Sequence, residues 1–160
     1  MFEVSLTGEG QTHPFFAGLP ETQTVMQWHH AEVKRAPQGA KVLAAEADRT
    51  AHFACKAAAG AARLPVHSLH RDLFRNPLMA EELNKFGAVL LDPPRAGARD
   101  QVARIAESTV ARVVYISCNP SSWARDAATL CAAGYRLVEL RPVGQFRWSS
   151  HVELASLFVR

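Results

Sequence analysis

The segment that decides the fold reads YISCNP at residues 115–120. An apolar run typical of a buried strand ends there in Cys118, and the residues after it favour the start of a helix. Upstream, AVLLDPPR at residues 88–95 ends a second apolar strand in the same way, with Asp92 in place of the thiol. Because open α/β sheets bind ligands outside the carboxyl ends of their strands, these two strand ends predict a site at the edge of a parallel sheet.

The composition is that of an ordinary soluble globular protein. The chain has 160 residues, 48% of them hydrophobic and 21% charged, which suits one domain with a core. A net charge of +3 is compatible with a polyanionic partner, although a slightly basic surface explains it as well. No apolar run or leader predicts a membrane span or secretion. Three scattered cysteines predict neither disulfides nor a metal site, so we expect a cytoplasmic location.

From about residue 40 onward, strands alternate with helices. This order implies βαβ units and an α/β fold with a mixed, mostly parallel sheet. The last two strands have no helix between them and predict an antiparallel hairpin at one edge. Strands are predicted at residues 2–7, 24–28, 41–46, 66–70, 86–91, 111–117, 135–140 and 152–159. Helices are predicted at residues 49–62, 77–84, 100–108 and from Ser121 or Ser122 to about Ala133.

The order and combination of several motifs resemble the C-terminal catalytic region of S-adenosylmethionine-dependent RNA 5-methyluridine methyltransferases, over residues 42–160. The shared motifs are DLF at 72–74, DPPR at 92–95, SCNP at 117–120 and WSSHVE at 148–153. The resemblance implies a Rossmann-like methyltransferase-type sheet, S-adenosylmethionine as cofactor and RNA as partner.

The resemblance assigns the nucleophile to Cys118 and the base to Glu153. A thiolate that adds to carbon 6 of uracil turns the ring into an enolate, and carbon 5 then attacks the sulfonium methyl group. The base removes the proton on carbon 5 so that the thiol leaves, and the uracil must be unstacked to reach the thiol. Taken alone, a cysteine at a strand end is more often a small buried hydrophobe.

Three carboxylates are the candidate cofactor ligands. By resemblance Asp92 contacts the methionine part of the cofactor, while Glu46 ends a strand where such folds bind ribose hydroxyls and Asp72 faces the adenine. Each has a structural alternative: a turn before prolines, a helix-start carboxylate and a loop acid, respectively.

Other polar residues are weaker candidates. The remaining cysteines, Cys55 and Cys131, lie in predicted helices and are expected to be packing residues. Pocket residues are suggested at Gln145 and His151, and phosphate contacts at Arg95, Arg99, Arg125, Arg141 and Arg147.

The glycine-rich cofactor loop of the family is missing before Glu46. The upstream GEG at residues 8–10 predicts a turn rather than that loop. The RNA-binding barrel and the iron–sulfur cysteines of the family are missing as well. These absences support an alternative function, a non-catalytic, degenerate or chimeric α/β domain without enzymatic activity.

Residues 2–45 resemble an internal piece of a class I glutamine amidotransferase. The motifs are HPFFAGLP at 13–20, VMQWHH at 25–30 and PQGAKVLA at 37–44. The piece holds no catalytic residue of that family, and no further ligands support a metal site at His29 and His30. We therefore expect a single domain over residues 1–160, with an amidotransferase-like segment at 1–45 and a methyltransferase-like segment at 46–160. An imported strand pair would leave an open sheet edge, which predicts a homodimer through that edge.

Overall fold

The computed structural model describes residues 2–3, 25–28, 31–32, 42–144 and 152–160. The strands in these ranges are β1 (Phe2–Glu3), β2 (Val25–Trp28), β3 (Ala31–Glu32), β4 (Val42–Glu46), β5 (Val66–His70), β6 (Ala88–Leu91), β7 (Arg112–Ser117), β8 (Arg136–Gly144) and β9 (Val152–Val159). The helices are α1 (Arg49–Ala61), α2 (Ala80–Leu83), α3 (Arg99–Glu107) and α4 (Pro120–Ala132).

Seven strands form one sheet in the order β5-β4-β2-β6-β7-β9-β8. The first five strands of that order are parallel, and β9 is antiparallel to both β7 and β8. This confirms the predicted α/β class, the mostly parallel sheet and the C-terminal hairpin. The strand order reverses between β2 and β6, and such a switch point is where open α/β sheets bind ligands.

The strand from the N-terminal segment lies at the centre of this sheet. Strand β2 pairs with β4 on one side and with β6 on the other, while β1 and β3 form a separate two-stranded sheet. The expectation that the N-terminal strands form the open edge is therefore wrong. The apolar run VMQW at residues 25–28 suits a central parallel strand, because such strands are covered on both faces. The edges of the seven-stranded sheet are β5 and β8.

The core joins side chains of β6, β7 and β9 with those of α3 and α4. On α3 the predicted apolar face is confirmed for Val102 and Ile105, which are fully buried. Strand β7 alternates, with Val113 and Tyr115 buried and their neighbours half-buried. Burial of each large apolar side chain contributes about 1.5–3 kcal/mol, so this cluster is what holds the sheet to the two helices.

Helix α4 begins at Pro120, earlier than the serines predicted to cap it. The Asn119 side-chain oxygen accepts a hydrogen bond from the Ser121 backbone N–H at 3.1 Å, which makes Asn119 the N-cap. Pro120 occupies the first helical position, where its missing N–H costs nothing. The helix ends before Gly134, as predicted, and the positive φ of 94° explains the glycine.

Two other elements differ in length from the prediction. Helix α2 covers only residues 80–83 of the predicted 77–84. Strand β8 continues through Pro142 to Gly144 instead of ending near Leu140. A proline is tolerated there because β8 is an edge strand, where one N–H is not needed for a second neighbour.

Candidate active site

A cavity of about 240 Å³ opens where β4 and β5 end. Two of the three predicted cofactor carboxylates, Glu46 and Asp72, line it, and Pro94 lines it from the loop after β6. The cavity therefore lies at the carboxyl ends of parallel strands, where the sequence predicts a site. The complete lining is Glu46, Ala47, Asp48, Arg71, Asp72, Leu73, Phe74 and Pro94.

Glu46 shapes the turn between β4 and α1. Its Oε1 accepts a hydrogen bond from the Asp48 backbone N–H at 2.8 Å. Asp48 in turn caps α1, because its Oδ1 accepts from the Ala51 N–H at 2.7 Å. A carboxylate has about four acceptor sites, so one backbone hydrogen bond leaves Glu46 with capacity for a ligand hydroxyl.

Asp72 organises a turn that forms another part of the cavity wall. Its Oδ1 accepts from the Phe74 backbone N–H at 2.9 Å, and its Oδ2 lies 3.6 Å from Arg75 Nε. The loop acid predicted as an alternative is therefore present, and the same residue also faces the cavity.

Arg71, which also lines the cavity, holds this part of the wall in place. Its guanidinium donates to Oε1 and Oε2 of Glu82 at 2.7 and 3.0 Å, and to the Pro77 carbonyl at 2.7 Å. This two-point geometry is the strongest form of an arginine–carboxylate contact. The hydrogen bond from Arg71 holds the pKa of Glu82 below its ordinary value, while burial opposes this shift.

The Glu82 contact predicts a pH dependence of stability. Because the pKa of Glu82 is lowered on folding, its contribution is complete above its ordinary value of 4.5 and is lost as pH falls through the folded value. We expect the wild type to melt at a higher temperature than Glu82→Gln near pH 7, with the difference shrinking toward about pH 3. Glu81→Gln, an exposed change in the same helix, is the control. An equal difference at both pH values would contradict the assignment.

Asp92 directly follows β6 at the switch point of the sheet and is half-buried. Its loop turns back through a hydrogen bond from the Gly97 N–H to the Pro94 carbonyl at 2.8 Å. It is Pro94, rather than Asp92, that reaches the cavity wall. The contact of Asp92 with the methionine part of a cofactor stays a prediction.

The two strand-end motifs are in direct contact. The Asn119 amide nitrogen donates to the Arg95 carbonyl at 2.9 Å, and Arg125 Nη2 donates to the Ala96 carbonyl at 3.0 Å. The Asp92 loop is therefore tied to the segment that carries Cys118.

Cys118 and Glu153 flank the last pair of the antiparallel β7–β9 ladder. That pair is Ser117 and Leu154; Cys118 directly follows Ser117 in a bend, and Glu153 directly precedes Leu154 in β9, where it pairs with Val143 of β8. Both residues are half-buried. The predicted nucleophile and the predicted base therefore lie at the same end of the ladder, and their catalytic roles stay predictions.

A buried polar network behind Cys118 is absent from the sequence-based predictions. Asp126, on α4, is 1% exposed and accepts a hydrogen bond from the Tyr115 hydroxyl at 2.7 Å. Burial raises the pKa of Tyr115, and Asp126 adds to the shift, so the phenol stays a donor. The spacing of Ser122, Asp126 and Leu130 on one helical face was the available signal, because four-residue spacing repeats one face of a helix.

Several other predicted residues have structural roles or lie outside the described ranges. Arg125, predicted to contact phosphate, is instead paired with Asp126 at 2.7 Å, and Arg141 is paired with Glu139. Cys131 is exposed on α4, so its predicted packing role is wrong, while Cys55 is half-buried. Some residues that the sequence analysis singled out lie outside the described ranges: Gly8, Gly10, His29, His30, Gln145, Arg147 and His151.

The described part of the chain contains neither a candidate metal-binding cluster nor a candidate membrane-spanning helix. Within residues 42–144 and 152–160, no three histidine, cysteine or acidic side chains are grouped so that they could hold a metal ion. In the same described ranges, no helix has the length and apolar character needed to cross a membrane.

A family model described as tRNA (Uracil-5-)-methyltransferase matches residues 68–160, more than half of the chain. The chain belongs to the tRNA (uracil-5-)-methyltransferase family. This match confirms the predicted methyltransferase-like domain and covers β6, β7, β9 and both strand-end motifs.

Relatives within the methyltransferase family are much longer than the matched region. The chain is 52% identical to an uncharacterised RNA methyltransferase of Zymomonas mobilis over 120 residues, which are 75% of this chain and 30% of that protein. It is 42% identical to the 23S rRNA (uracil(1939)-C(5))-methyltransferase RlmD of Yersinia enterocolitica over 93 residues, 58% of this chain and 20% of that protein. The chain thus spans less than a third of these relatives.

Solved methyltransferase structures share the fold. The Pyrococcus abyssi tRNA (uracil-54, C5)-methyltransferase in complex with S-adenosyl-L-homocysteine matches with a TM-score of 0.68 and 22% identity, over 86% of this chain and 34% of that one. M. jannaschii TYW2 in complex with AdoMet matches with a TM-score of 0.59 and 16% identity, over 88% of this chain and 70% of that one. The mixed α/β sheet is therefore of the Rossmann-like methyltransferase type.

Proposed function

We propose that this domain transfers a methyl group from S-adenosylmethionine to carbon 5 of uridine in RNA, with Cys118 as nucleophile and Glu153 as base. The observation that carries the proposal is the end of the β7–β9 ladder, where Cys118 follows and Glu153 precedes the two residues of the last pair. Family membership supports the same chemistry. The names of the Yersinia and Pyrococcus proteins describe methylation of uracil in RNA.

The cavity has hydrogen-bond acceptors that suit an adenosyl group. Of its three carboxylates, Asp48 caps α1, while Glu46 and Asp72 can accept hydrogen bonds from ribose hydroxyls and an exocyclic amine. Phe74 and Pro94 add apolar surface for a planar ring. The volume of about 240 Å³ is below the roughly 300–1,000 Å³ of complete small-molecule sites, so it matches the nucleoside part alone.

Cys118 starts the proposed reaction. Its thiolate adds to carbon 6 of the uracil, and the electron pair of the carbon 5–carbon 6 bond moves toward the carbonyl as an enolate. S-adenosylmethionine would supply an electrophilic methyl group, which carbon 5 takes as the bond from the methyl group to the sulfonium sulfur breaks and S-adenosylhomocysteine leaves. The half-buried position of Cys118 requires that the uracil leave its stack to reach the sulfur.

Glu153 completes the reaction by removing the carbon 5 proton. The electron pair of that bond restores the carbon 5–carbon 6 double bond, and the Cys118 thiolate leaves carbon 6. A carboxylate at the same end of the β7–β9 ladder as the thiol suits this role, because the proton is on the carbon next to the one that the sulfur attacks.

RNA is the proposed partner. The exposed Arg95 and Arg99 lie on or next to the Asp92 loop, and their positive charges suit binding of RNA phosphates. Contacts with phosphates do not depend on base identity. Substitution of either arginine would therefore weaken binding to different RNA sequences by similar factors.

The alternative is a non-catalytic domain, and one sequence feature favours it. Between Trp28 and Val42 the sequence holds a single glycine, Gly39, and so lacks a glycine-rich cofactor loop. Glycines in that loop let a backbone approach the cofactor, so the methionine end lacks its usual support. The amidotransferase-like origin of residues 2–45 is part of this alternative and rests on the motifs quoted above.

Cofactor binding separates the two functions. We expect S-adenosylhomocysteine to bind the wild type in calorimetric titration, and Glu46→Gln to weaken binding about 10-fold through loss of charge-assisted hydrogen bonds to ribose. Glu81→Gln, which lies outside the cavity, is the control. Absence of heat with the wild type at millimolar ligand, with the fold intact by circular dichroism, would leave only the non-catalytic function.

We also propose a homodimer and a cytoplasmic location. Of the two sheet edges, β8 is the better candidate for the dimer, because this edge strand carries four exposed apolar residues, Leu137, Val138, Leu140 and Val143. Light scattering that finds a monomer at every concentration would refute the dimer. The free state of all three cysteines supports a reducing compartment.

A further inference from the structure

Asp126 is a buried acceptor that joins three elements. Its Oδ2 accepts from the Tyr115 hydroxyl on β7 at 2.7 Å and from the Ala98 backbone N–H, just before α3, at 2.7 Å. A carboxylate that is 1% exposed is tolerated only with such partners. The end of the Asp92 loop is thereby held against α4.

Two more side chains hold the middle of the Asp92 loop: Arg125, next to Asp126 in α4, and Asn119, the N-cap of the same helix. Arg125 pairs with Asp126 Oδ1 through Nε at 2.8 Å, and its Nη2 donates to the Ala96 carbonyl at 3.0 Å. Asn119, directly after Cys118, donates to the Arg95 carbonyl at 2.9 Å. Asn119, Arg125 and Asp126 thus contact three successive parts of the loop, and we call them the latch.

Gly97 shows how closely the loop and the latch fit. A Cβ atom at this position would lie 2.5 Å from Arg125 Nη2 and 2.6 Å from Asp126 Oδ2. The φ of 81° is also unfavourable for other residues. The loop backbone therefore rests directly on the latch side chains, with no space for a side chain between them.

We propose that the latch positions the loop that carries Pro94, and with it the Pro94 wall of the cofactor cavity, relative to the Cys118 turn, so that methyl donor and nucleophile meet in one geometry. This proposal rests on the proposed methyl transfer for its purpose. The latch residues are positioning residues: they touch the loop backbone, not the reacting atoms. Tight placement matters because small displacements of reacting groups cost large factors in rate.

Two variants break the latch with little change elsewhere. Asn119→Ser keeps an oxygen that caps α4 but is too short to reach the Arg95 carbonyl. Arg125→Met removes the bond to Ala96 and the ion pair with Asp126 Oδ1, and leaves both bonds to Asp126 Oδ2 in place. Arg104→Met is the matched control: Arg104 and Arg125 have the same side-chain exposure, 36%, and both form ion pairs of 2.7 Å, but Arg104 pairs with Glu107 on α3.

The experiment measures the iodoacetamide alkylation rate of each cysteine by peptide mass spectrometry and the dissociation constant of S-adenosylhomocysteine. In both latch variants we expect the Cys118 rate to change about fivefold, the factor for one net hydrogen bond, and ligand affinity to fall by a similar factor. Cys55 and Cys131 in the same sample, which lie outside the turn, and all values in Arg104→Met are expected to stay near wild type.

Selective change at Cys118 excludes a merely structural role, since global loosening would alter all three cysteines. The proposal is overturned if both foldable variants leave the Cys118 rate within twofold of the wild type, or change all three thiols alike. If one of the two variants does not fold, the other decides. A wild type that binds no S-adenosylhomocysteine would refute the proposed function, while the alkylation rates would still judge the latch.

Discussion

Cys118→Ala is expected to lower methyl transfer to uridine by at least about 10³-fold, because no other group replaces a covalent nucleophile. Without the sulfur, carbon 5 of uracil does not gain enolate character and does not attack the methyl group. The side chain is half-buried and small, so the substitution is expected to leave the melting temperature within a few degrees of the wild type.

Single-turnover transfer of a labelled methyl group to an unmodified 23S rRNA transcript measures this effect. A 5-fluorouridine RNA adds a second readout, since the fluorine prevents proton removal and traps the Cys118 adduct. Cys131→Ala, an exposed change on α4, is the control and should retain both activities. Glu153→Gln should still form the adduct but release product slowly. Full activity of Cys118→Ala would remove the thiol from the mechanism.

Asp126→Ala is expected to destabilise the fold by about 3 kcal/mol, the cost of leaving two buried donors without an acceptor. The donors are the Tyr115 hydroxyl and the Ala98 N–H, which both bond to Asp126 Oδ2 at 2.7 Å. Arg125 also loses its ion pair, although this half-exposed contact adds little. For a chain of this size the change corresponds to a drop of roughly 10 °C in melting temperature.

Urea unfolding followed by circular dichroism measures the destabilisation. Asp126→Asn should cost less, because an amide oxygen still accepts from both donors. Asp100→Ala, in the exposed first turn of α3, should change stability by about 1 kcal/mol at most. If Asp126→Ala were no more damaging than Asp100→Ala, the buried network would have no energetic role.

The local pattern predicted most elements and the two strand ends, since apolar periodicity is a property of a few neighbouring residues. It was less accurate at the termini of elements. Asn119 rather than a serine caps α4, because the side chain that reaches the free N–H groups depends on where the chain turns. Strand β8 passes through Pro142, which only its edge position permits.

The candidate site was predictable in its residue types but not in its connections. Cys118 and Glu153 are 35 positions apart, and only the antiparallel pairing of β7 and β9 brings them to the same end of one strand pair. Asp126 was not among the predicted site residues, because the sequence of a helix does not show which of its faces is buried. The hydrogen bonds of Asp126 with Tyr115 and Ala98 depend on the packing of α4.

The sequence by itself determined the α/β class, the order of strands and helices, and the two motifs that place a thiol and a carboxylate at strand ends. Those features depend on short-range periodicity and on turn residues. The tertiary structure alone decided that residues 25–28 form the central strand, that β8 is an open edge, and that a latch on α4 joins the Asp92 loop to the Cys118 turn. Strand pairing and side-chain contacts between distant residues depend on which surfaces meet in the folded chain, and no local pattern specifies that.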